Sequence, residues 1–156
     1  MPYSNIKESP KLENLFSLKN RTALIIGGAG LLGSEICDAF IEHKATIFIA
    51  SRNQKKGSEL IEKLKVKYPD LNAHSLEVDI TDNKSINIMA EKLKKLTNNK
   101  LDILVNCGNE IKKNTFDSIS NEDWDNDINS TLNGVFKTVK AVVPLLKKSE
   151  QGNILF

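Results

Sequence analysis

Short apolar runs alternate with helical patterns along most of this chain, and that alternation constrains the fold more than any other feature. Continuous apolar runs, typical of strands covered on both faces, lie at residues 22–26, 45–50 and 101–106, and a mixed stretch at 74–79 predicts a further strand. Apolar residues recur at the three- and four-residue steps of a helix over 32–43, 60–68, 86–96 and 121–147. Such alternation favours parallel strands joined by crossover helices, so we predict a layered α/β fold.

The longest helical pattern, residues 121–147, carries its own start and stop signals. Ser120 precedes it as the predicted N-cap, acidic residues fill its first turn, and Pro144 lies near its end. Its apolar positions begin at Trp124, which we expect to pack in the core rather than to serve as a stacking platform. Residues 152–156 then begin a fifth strand.

Composition excludes several classes of protein. A chain of 156 residues suits one domain, and its first 14 residues are expected to form a mobile lead-in before a domain over 15–156. The net charge of +2 comes with no basic stripe or basic amphipathic helix, so we expect no nucleic-acid or membrane partner. Cys37 and Cys107 lack the spacing of a zinc site, and neither a signal peptide nor a run of roughly 20 apolar residues occurs. These features predict a soluble cytoplasmic domain without a metal site.

Glycines cluster in the turn between the first strand and the first helix. Residues 27–33 contain the pattern GxGxxG at Gly28, Gly30 and Gly33. They also contain GxxGxxG, which starts at Gly27 and shares the last two glycines. Glycine backbone can turn tightly and approach a pyrophosphate closely, and the N-terminus of the following helix offers unpaired N–H groups and the positive end of its dipole. Directly after a buried strand and at the start of a helix, this pattern predicts a dinucleotide-binding site.

The residue that ends the second strand indicates which dinucleotide is bound. An Asp or Glu about 20 residues after the glycines would hold the ribose hydroxyls of NAD. The corresponding position, 18 residues after Gly33, is Ser51, and Arg52 follows it. A small side chain leaves room for a 2′-phosphate, and a guanidinium can hold that phosphate with two hydrogen bonds. We therefore expect NADP rather than NAD, with an exposed loop arginine as the alternative interpretation of Arg52.

Together these segments resemble the short-chain dehydrogenase/reductase family over residues 15–156. The resemblance is carried by residues 23–33, 78–82, 102–108 and 124–136. It implies a Rossmann-like, doubly wound parallel sheet in three α/β/α layers. It also implies an oxidoreductase that transfers a hydride between the nicotinamide of NADP and a carbonyl or secondary alcohol of a small-molecule substrate. Residues 152–155 are similar to the start of the family's fifth strand, so we expect the domain to be truncated there.

The resemblance also implies cofactor contacts, residue by residue. Asp79 and Ile80 match positions that contact the adenine, and Asn106 matches a position near the cofactor ribose. From the residues alone, Asp79 could instead cap the following helix, a role that Thr81 or Asp82 could also take. The full set of expected cofactor-binding residues is Gly27, Gly30, Leu32, Gly33, Ser51, Arg52, Asp79, Ile80, Asn106 and Gly108.

The catalytic residues of the family are not matched in this sequence. Thr131 occupies the position of the family's catalytic-helix Asn, so a water relay through that amide is not expected. The family's Ser and Tyr-x-x-x-Lys have no counterpart, since the one such spacing, Tyr3 to Lys7, precedes the first strand. We therefore expect these residues alone to be inactive. Cys107 is interpreted as a small packing residue, because no basic neighbour in sequence would lower the pKa of its thiol.

Two other functions remain open at this point. The GxxGxxG spacing also resembles the nucleotide-sugar epimerase/dehydratase branch of the family, which uses a dinucleotide as well. The missing Ser, Tyr and Lys alternatively indicate a non-catalytic nucleotide-binding fragment. Ile154, Leu155 and Phe156 would lie at an open sheet edge, where we expect association into homo-oligomers or aggregates.

Overall fold

A single parallel β-sheet organises the protein, whose computed structural model describes residues 15–108 and 115–156. Within those residues the sheet has five strands in the order β3-β2-β1-β4-β5. The strands are β1 (Thr22–Ile26), β2 (Thr46–Ser51), β3 (Ala73–Glu77), β4 (Ile103–Asn106) and β5 (Asn153–Leu155). The chain starts in the middle of the sheet, moves outward through β2 and β3, and then crosses to β4 on the other side of β1. The gap between the carboxyl ends of β1 and β4 is therefore the switch point at which such sheets bind ligands.

Helices connect consecutive strands, as the sequence pattern predicts. They are α1 (Leu31–Glu42), α2 (Gln54–Lys67), α3 (Asn83–Leu96), α4 (Asn121–Ile128) and α5 (Gly134–Leu146). The predicted long helix over 121–147 is interrupted, because a π-helical segment, Asn129–Asn133, joins α4 to α5. The third strand also differs from the predicted 74–79, since it begins one residue earlier and ends at Glu77.

The core consists of two hydrophobic clusters, one on each face of the sheet. On one face, Leu24 and Leu104 pack with Met89 of α3 and Val142 of α5. On the other face, the side chains of Ile25, Ile47 and Ile49 pack with residues of α1 and α2. Alternate residues of one strand therefore point into opposite layers, as in a sheet covered on both sides. The predicted Rossmann-like, three-layer α/β fold is confirmed.

Two predictions about buried helix faces are wrong. The buried residues of α1 are Gly33, Cys37 and Ile41, whereas Leu32, the first position of the apolar pattern predicted over 32–43, is 65% exposed. Gly33 lets the helix backbone approach the preceding turn closely, and this contact fixes which side of the helix is buried. Trp124 is 57% exposed rather than in the core. The whole of α4 lies at the surface, since none of its residues is buried.

A buried carboxylate joins three strands at the amino-terminal edge of the sheet. Asp102, just before β4, has a side chain that is 1% exposed. It accepts hydrogen bonds from the backbone N–H of Thr22 at 2.9 Å, from Arg21 Nη1 at 3.2 Å and from Ser149 Oγ at 2.6 Å. Its backbone carbonyl accepts the N–H of Asn153, the first residue of β5, at 2.9 Å. Asp102 thus fixes β4 to β1 and β5 opposite the edge where ligands bind.

Three further predictions concern the ends of the chain and membranes. The expected mobile lead-in over residues 1–14, and with it the Tyr3–Lys7 spacing, lies outside the described residues. At the other end, β5 pairs with β4 and with no other strand of residues 15–108 and 115–156, and Ile154 and Leu155 are 38% and 48% exposed. None of the helices in the described part of the chain is long and apolar enough to cross a membrane.

Candidate functional site

A cleft opens at the carboxyl edge of the sheet, beside the switch point. It encloses about 580 Å³, part of it open to solvent. Residues from the ends of β1, β2 and β3, from the loop after β4 and from the π-helical segment line it: Ile26, Gly27, Ser51, Arg52, Val78, Asp79, Ile80, Thr81, Gly108 and Ser130. Six of the ten residues predicted to bind a cofactor are in this group, although they are spread over 82 positions of the sequence from Gly27 to Gly108.

The glycine turn meets the cleft at Gly27, and its close packing requires glycine at two positions. Gly27 has a φ of +74°, and a Cβ on it would lie 2.7 Å from the Cα of Gly108. A Cβ on Gly33 would overlap the carbonyl oxygen of Gly27 and lie 2.6 Å from the Cα of Gly28. The turn is closed by a hydrogen bond from the N–H of Gly30 to the Gly27 carbonyl at 2.9 Å. Side chains are thus excluded from the place where backbone faces the cleft.

The helix that starts at this turn leaves its first N–H groups without a side-chain cap. In the described residues, Asn53, Asp82 and Ser120 each cap the helix that follows them with a side-chain oxygen. The N-cap of α1 is Gly30, which makes no such bond, and the first turn of α1 contains no acidic residue. The start of α1 therefore keeps free N–H donors and the positive end of its dipole for an anion.

Asp79 lines the cleft and is not the N-cap of the following helix. Its Oδ1 accepts hydrogen bonds from the N–H and the hydroxyl of Thr81, at 2.9 and 2.6 Å. Asp82, one of the two alternatives named above, caps α3 by accepting from the N–H groups of Lys84 and Ser85. The hydrogen bonds from Thr81 lower the pKa of Asp79, and the charge of Arg52 lowers it further. Asp79 is therefore a carboxylate near neutral pH, placed next to the cation that follows β2.

Asn106, at the end of β4, is buried, and its side-chain amide has no partner among the residues that the structure describes. The residue is 9% exposed, and within the described part of the chain neither Oδ1 nor Nδ2 makes a hydrogen bond. Leaving such a group unsatisfied costs roughly 1–3 kcal/mol. A polar ligand that reached this amide from the switch point would recover part of that cost.

The other predicted residues occupy different places. Gly30 and Gly33 shape the glycine turn without lining the cleft, and Leu32 is exposed on the first turn of α1. Burial raises the pKa of the Cys107 thiol, which disfavours the reactive thiolate and agrees with a packing role. The described residues contain no group of His, Cys, Asp or Glu side chains that could hold a metal ion.

Thr131, at the position of the family's catalytic-helix Asn, does not line the cleft. Its hydroxyl donates to the backbone carbonyl of Asp127 at 2.5 Å, so it is engaged within its own helix. The neighbouring Ser130 does line the cleft, and sequence reasoning missed it. No sequence signal reveals it, because it depends on the wider turn of the π-helical segment.

Comparison with known proteins finds relatives over nearly the whole chain. The short chain dehydrogenase model matches residues 21–156. The 3-oxoacyl-[acyl-carrier-protein] reductase FabG of Chlamydia pneumoniae is 26% identical over 139 residues, which are 89% of this chain and 55% of that protein. The 3alpha-hydroxysteroid dehydrogenase of Mediterraneibacter gnavus is 25% identical over 138 residues, 88% of this chain and 55% of that protein. The chain thus spans about half the length of the curated relatives it matches.

Solved structures agree with these sequence matches. The crystal structure of gox2181 superimposes with a TM-score of 0.82 at 24% identity, over 89% of this chain and 53% of that one. The Pseudomonas aeruginosa RhlG/NADP active-site complex superimposes with a TM-score of 0.78 at 25% identity, over 86% and 51%. With the family match over residues 21–156, the glycine turn and the sheet order lead to one conclusion: the chain belongs to the short-chain dehydrogenase family of oxidoreductases.

Proposed function

We propose that this chain binds NADP, in preference to NAD, in the cleft at the carboxyl edge of the sheet. It would thereby serve as the cofactor-binding part of an oxidoreductase acting on a carbonyl or secondary alcohol. The observation that carries the proposal is the position of Ser51 and Arg52. Both line the cleft that Gly27 of the glycine turn also lines, and the residue at the end of β2 is not acidic.

The cleft fits a dinucleotide in two independent respects. At Gly27 and Gly33 this turn has no room for a side chain, and the start of α1 has no side-chain cap, which suits a pyrophosphate. The buried amide of Asn106 lies at the end of the adjacent strand with unused hydrogen-bonding capacity, which suits a polar group such as a ribose hydroxyl.

The preference for NADP follows from charge and size at the end of β2. The Ser51 hydroxyl donates to the backbone carbonyl of Asn53 at 2.9 Å, which keeps this short side chain close to its own loop. A carboxylate here would repel a 2′-phosphate, whereas the Arg52 guanidinium attracts it. The relative RhlG, 25% identical, is described as an NADP complex, which is in line with this proposal.

The chemistry divides between the cofactor and the protein. When bound, the nicotinamide would supply or accept the hydride. The residues of this chain would hold the dinucleotide: the glycine turn at the pyrophosphate, Arg52 at the 2′-phosphate and Asp79 at the adenosine. Residues 15–156 contain no Tyr-x-x-x-Lys spacing, so no proton donor of that kind is assigned in this chain.

Replacing Arg52 by Ala is expected to weaken NADP binding about tenfold and to leave NAD binding nearly unchanged. The reason is that a charge-assisted hydrogen bond to phosphate contributes roughly 1.5–3 kcal/mol, with the lower end appropriate to an exposed arginine. Isothermal titration calorimetry with both dinucleotides measures the effect. Lys55→Ala is the matched control, because Lys55 is an exposed cation nearby that does not line the cleft. An equal loss for NADP and NAD would remove the role assigned to Arg52.

The 156 residues on their own are expected to bind NADPH without catalysing carbonyl reduction. Their sequence contains no Tyr-x-x-x-Lys other than Tyr3–Lys7, and Thr131 replaces the helix Asn. The measurement is NADPH consumption in the presence of a panel of ketones, aldehydes and 3-oxoacyl thioesters. Turnover above the background rate with any of them would show that this chain carries a proton donor of its own.

A further inference from the structure

The backbone N–H groups of the glycine turn are used unequally. Gly27, Gly28 and Gly30 donate to carbonyl oxygens of β2, of β1 and of the turn itself, at 2.8, 3.3 and 2.9 Å. The N–H of Ala29, which is half-buried, has no hydrogen-bond partner among the residues that the structure describes. The turn therefore keeps one backbone donor free just before α1 begins.

A buried thiol holds the peptide group that carries this donor. Cys37 is a fully buried residue of α1, and its Sγ donates a hydrogen bond to the carbonyl oxygen of Gly28 at 3.6 Å. A thiol is a weak donor, and its hydrogen bonds are long because sulfur is larger than oxygen or nitrogen. Burial raises the pKa of the Cys37 thiol to about 12, so the thiol keeps its proton near neutral pH. Gly28 is itself buried, and no other donor of the described residues reaches its carbonyl.

The geometry of one peptide group links the thiol to the free donor. The carbonyl of Gly28 and the N–H of Ala29 belong to the same planar unit, and in a trans peptide they point in opposite directions. None of the peptide bonds within the described residues is cis. Because the Gly28 carbonyl points toward the buried Cys37, the Ala29 N–H points away from it. It directly precedes the free N–H groups at the start of α1, and successive free N–H groups of this kind bind anions.

We infer that Cys37 is a positioning residue of the dinucleotide site, whose thiol orients the peptide between Gly28 and Ala29 so that the Ala29 N–H donates to the pyrophosphate. This role rests on the proposed function and deepens it, because it is assigned to a side chain that does not line the cleft. Cys37 itself touches no part of the ligand and takes no part in proton transfer.

Titration calorimetry of the full chain with NADP and with NAD tests this role in Cys37→Ala and Cys37→Ser. Both replacements are smaller than cysteine, but only serine keeps a proton to donate to the Gly28 carbonyl. Cys37→Ala is expected to weaken binding by about threefold, a low value for a hydrogen bond because a thiol is a weak donor. The loss should be equal for NADP and NAD, since both contain the pyrophosphate. Cys37→Ser should bind both nearly as the wild-type chain does.

Cys107→Ala is the matched control for loss of a thiol. Cys107 packs against the same hydrophobic cluster as Cys37, and its thiol makes no hydrogen bond within the described residues. We expect it to bind both dinucleotides as the wild-type chain does. Urea unfolding of the three variants shows whether affinity follows stability. Affinities that fall in proportion to the stabilities of the variants overturn the inference, because Cys37 would then be a structural residue only.

The donor can also be observed directly in amide NMR spectra of the wild-type chain. Addition of NADP is expected to move the Ala29 amide proton signal downfield, because its N–H gains a phosphate oxygen as acceptor. An Ala29 signal that stays in place when NADP is bound overturns the contact.

The binding data separate this inference from the proposed function. Weaker binding of both dinucleotides to Cys37→Ala, with Cys37→Ser and Cys107→Ala like the wild-type chain, supports it. Equal affinities of Cys37→Ala and the wild-type chain, or equal losses in Cys37→Ala and Cys37→Ser, overturn it while the proposed function stands. A loss confined to NADP also overturns it, because the pyrophosphate is common to both ligands. A wild-type chain that binds neither dinucleotide contradicts the proposed function and this inference together.

Discussion

Replacing Gly33 by Ala is expected to lower the free energy of unfolding by roughly 2 kcal/mol and to abolish the stabilisation by dinucleotide. The added Cβ would overlap the carbonyl oxygen of Gly27 and approach the Cα of Gly28 to 2.6 Å. Both neighbours are backbone atoms, which cannot turn aside as a flexible side chain can. Overpacking of this kind costs typically 1–3 kcal/mol or more, which outweighs the gain of about 1 kcal/mol from replacing glycine within a helix. Relief of the clash would separate α1 from the glycine turn and change the shape of the anion site.

Gly30→Ala is the matched control in the same turn. Its Cβ would meet a single atom, the Gly27 carbonyl oxygen at 3.1 Å, and Gly30 has no positive φ. We expect a loss of less than about 1 kcal/mol, since a small shift of one neighbour relieves the contact. Urea unfolding of the two variants and the wild-type chain measures the difference. Equal stabilities of Gly33→Ala and Gly30→Ala would contradict the packing that we describe.

Replacing Asp102 by Ala is expected to destabilise the protein by roughly 3 kcal/mol without changing any cleft residue. The variant leaves the N–H of Thr22 without its partner and removes the buried end of the ion pair with Arg21. Breaking a buried charge network in this way costs on the order of 3–5 kcal/mol, less where one partner is partly exposed, as Arg21 is. Asp38→Ala is the control, because its pair with Lys67 is exposed at the surface and contributes at most about 1 kcal/mol.

The lowered pKa of Asp102 also predicts how the stability of the protein depends on pH. Burial alone would raise the pKa of its carboxyl, but hydrogen bonds from Ser149, the Thr22 backbone and Arg21 outweigh it and lower the pKa from 3.8 to about 2. Because the pKa is lower in the folded state, the contribution to stability is complete above pH 4 to 5 and is lost as the pH falls toward 2. It amounts to about 2 kcal/mol. Thermal unfolding should show this acid loss in the wild-type chain and a smaller one in Asp102→Asn. An equal loss of stability at acid pH in the wild-type chain and in Asp102→Asn would contradict the role of Asp102.

Much of the fold could be predicted because its signals are local. The buried strands and the helix periods are each contained in about a dozen residues, and Ser120 caps its helix as predicted, accepting from Asp123 N–H at 3.0 Å. The glycine turn is equally local, since it needs a strand, a run of glycines and a helix in succession. Ser51 and Arg52 were located by their distance from Gly33 in the sequence, and the structure places both in the cleft.

The features that could not be predicted depend on contacts between distant segments. The buried side of α1 is set by the contact of Gly33 with the glycine turn, and apolar spacing alone favoured Leu32 instead. The exposure of Trp124 depends on which part of the helix reaches the sheet. In the sequence, Asp102 is a single polar residue in an apolar run. Its role could not be predicted because its partners Arg21 and Ser149 lie 81 and 47 positions away. The location of Ser130 requires a π-helical turn that no residue pattern indicates.

Binding of NADP and NAD to the wild-type chain, measured side by side by titration calorimetry, tests the central claim most directly. We expect one site per chain, with NADP bound at least about tenfold more tightly than NAD, because only NADP presents a 2′-phosphate to Arg52. Thermal unfolding in the same solutions should show the larger rise in melting temperature with NADP. Binding of NAD with equal or higher affinity would contradict the assignment of Ser51 and Arg52. Failure to bind either dinucleotide would contradict the claim that this cleft is a cofactor site.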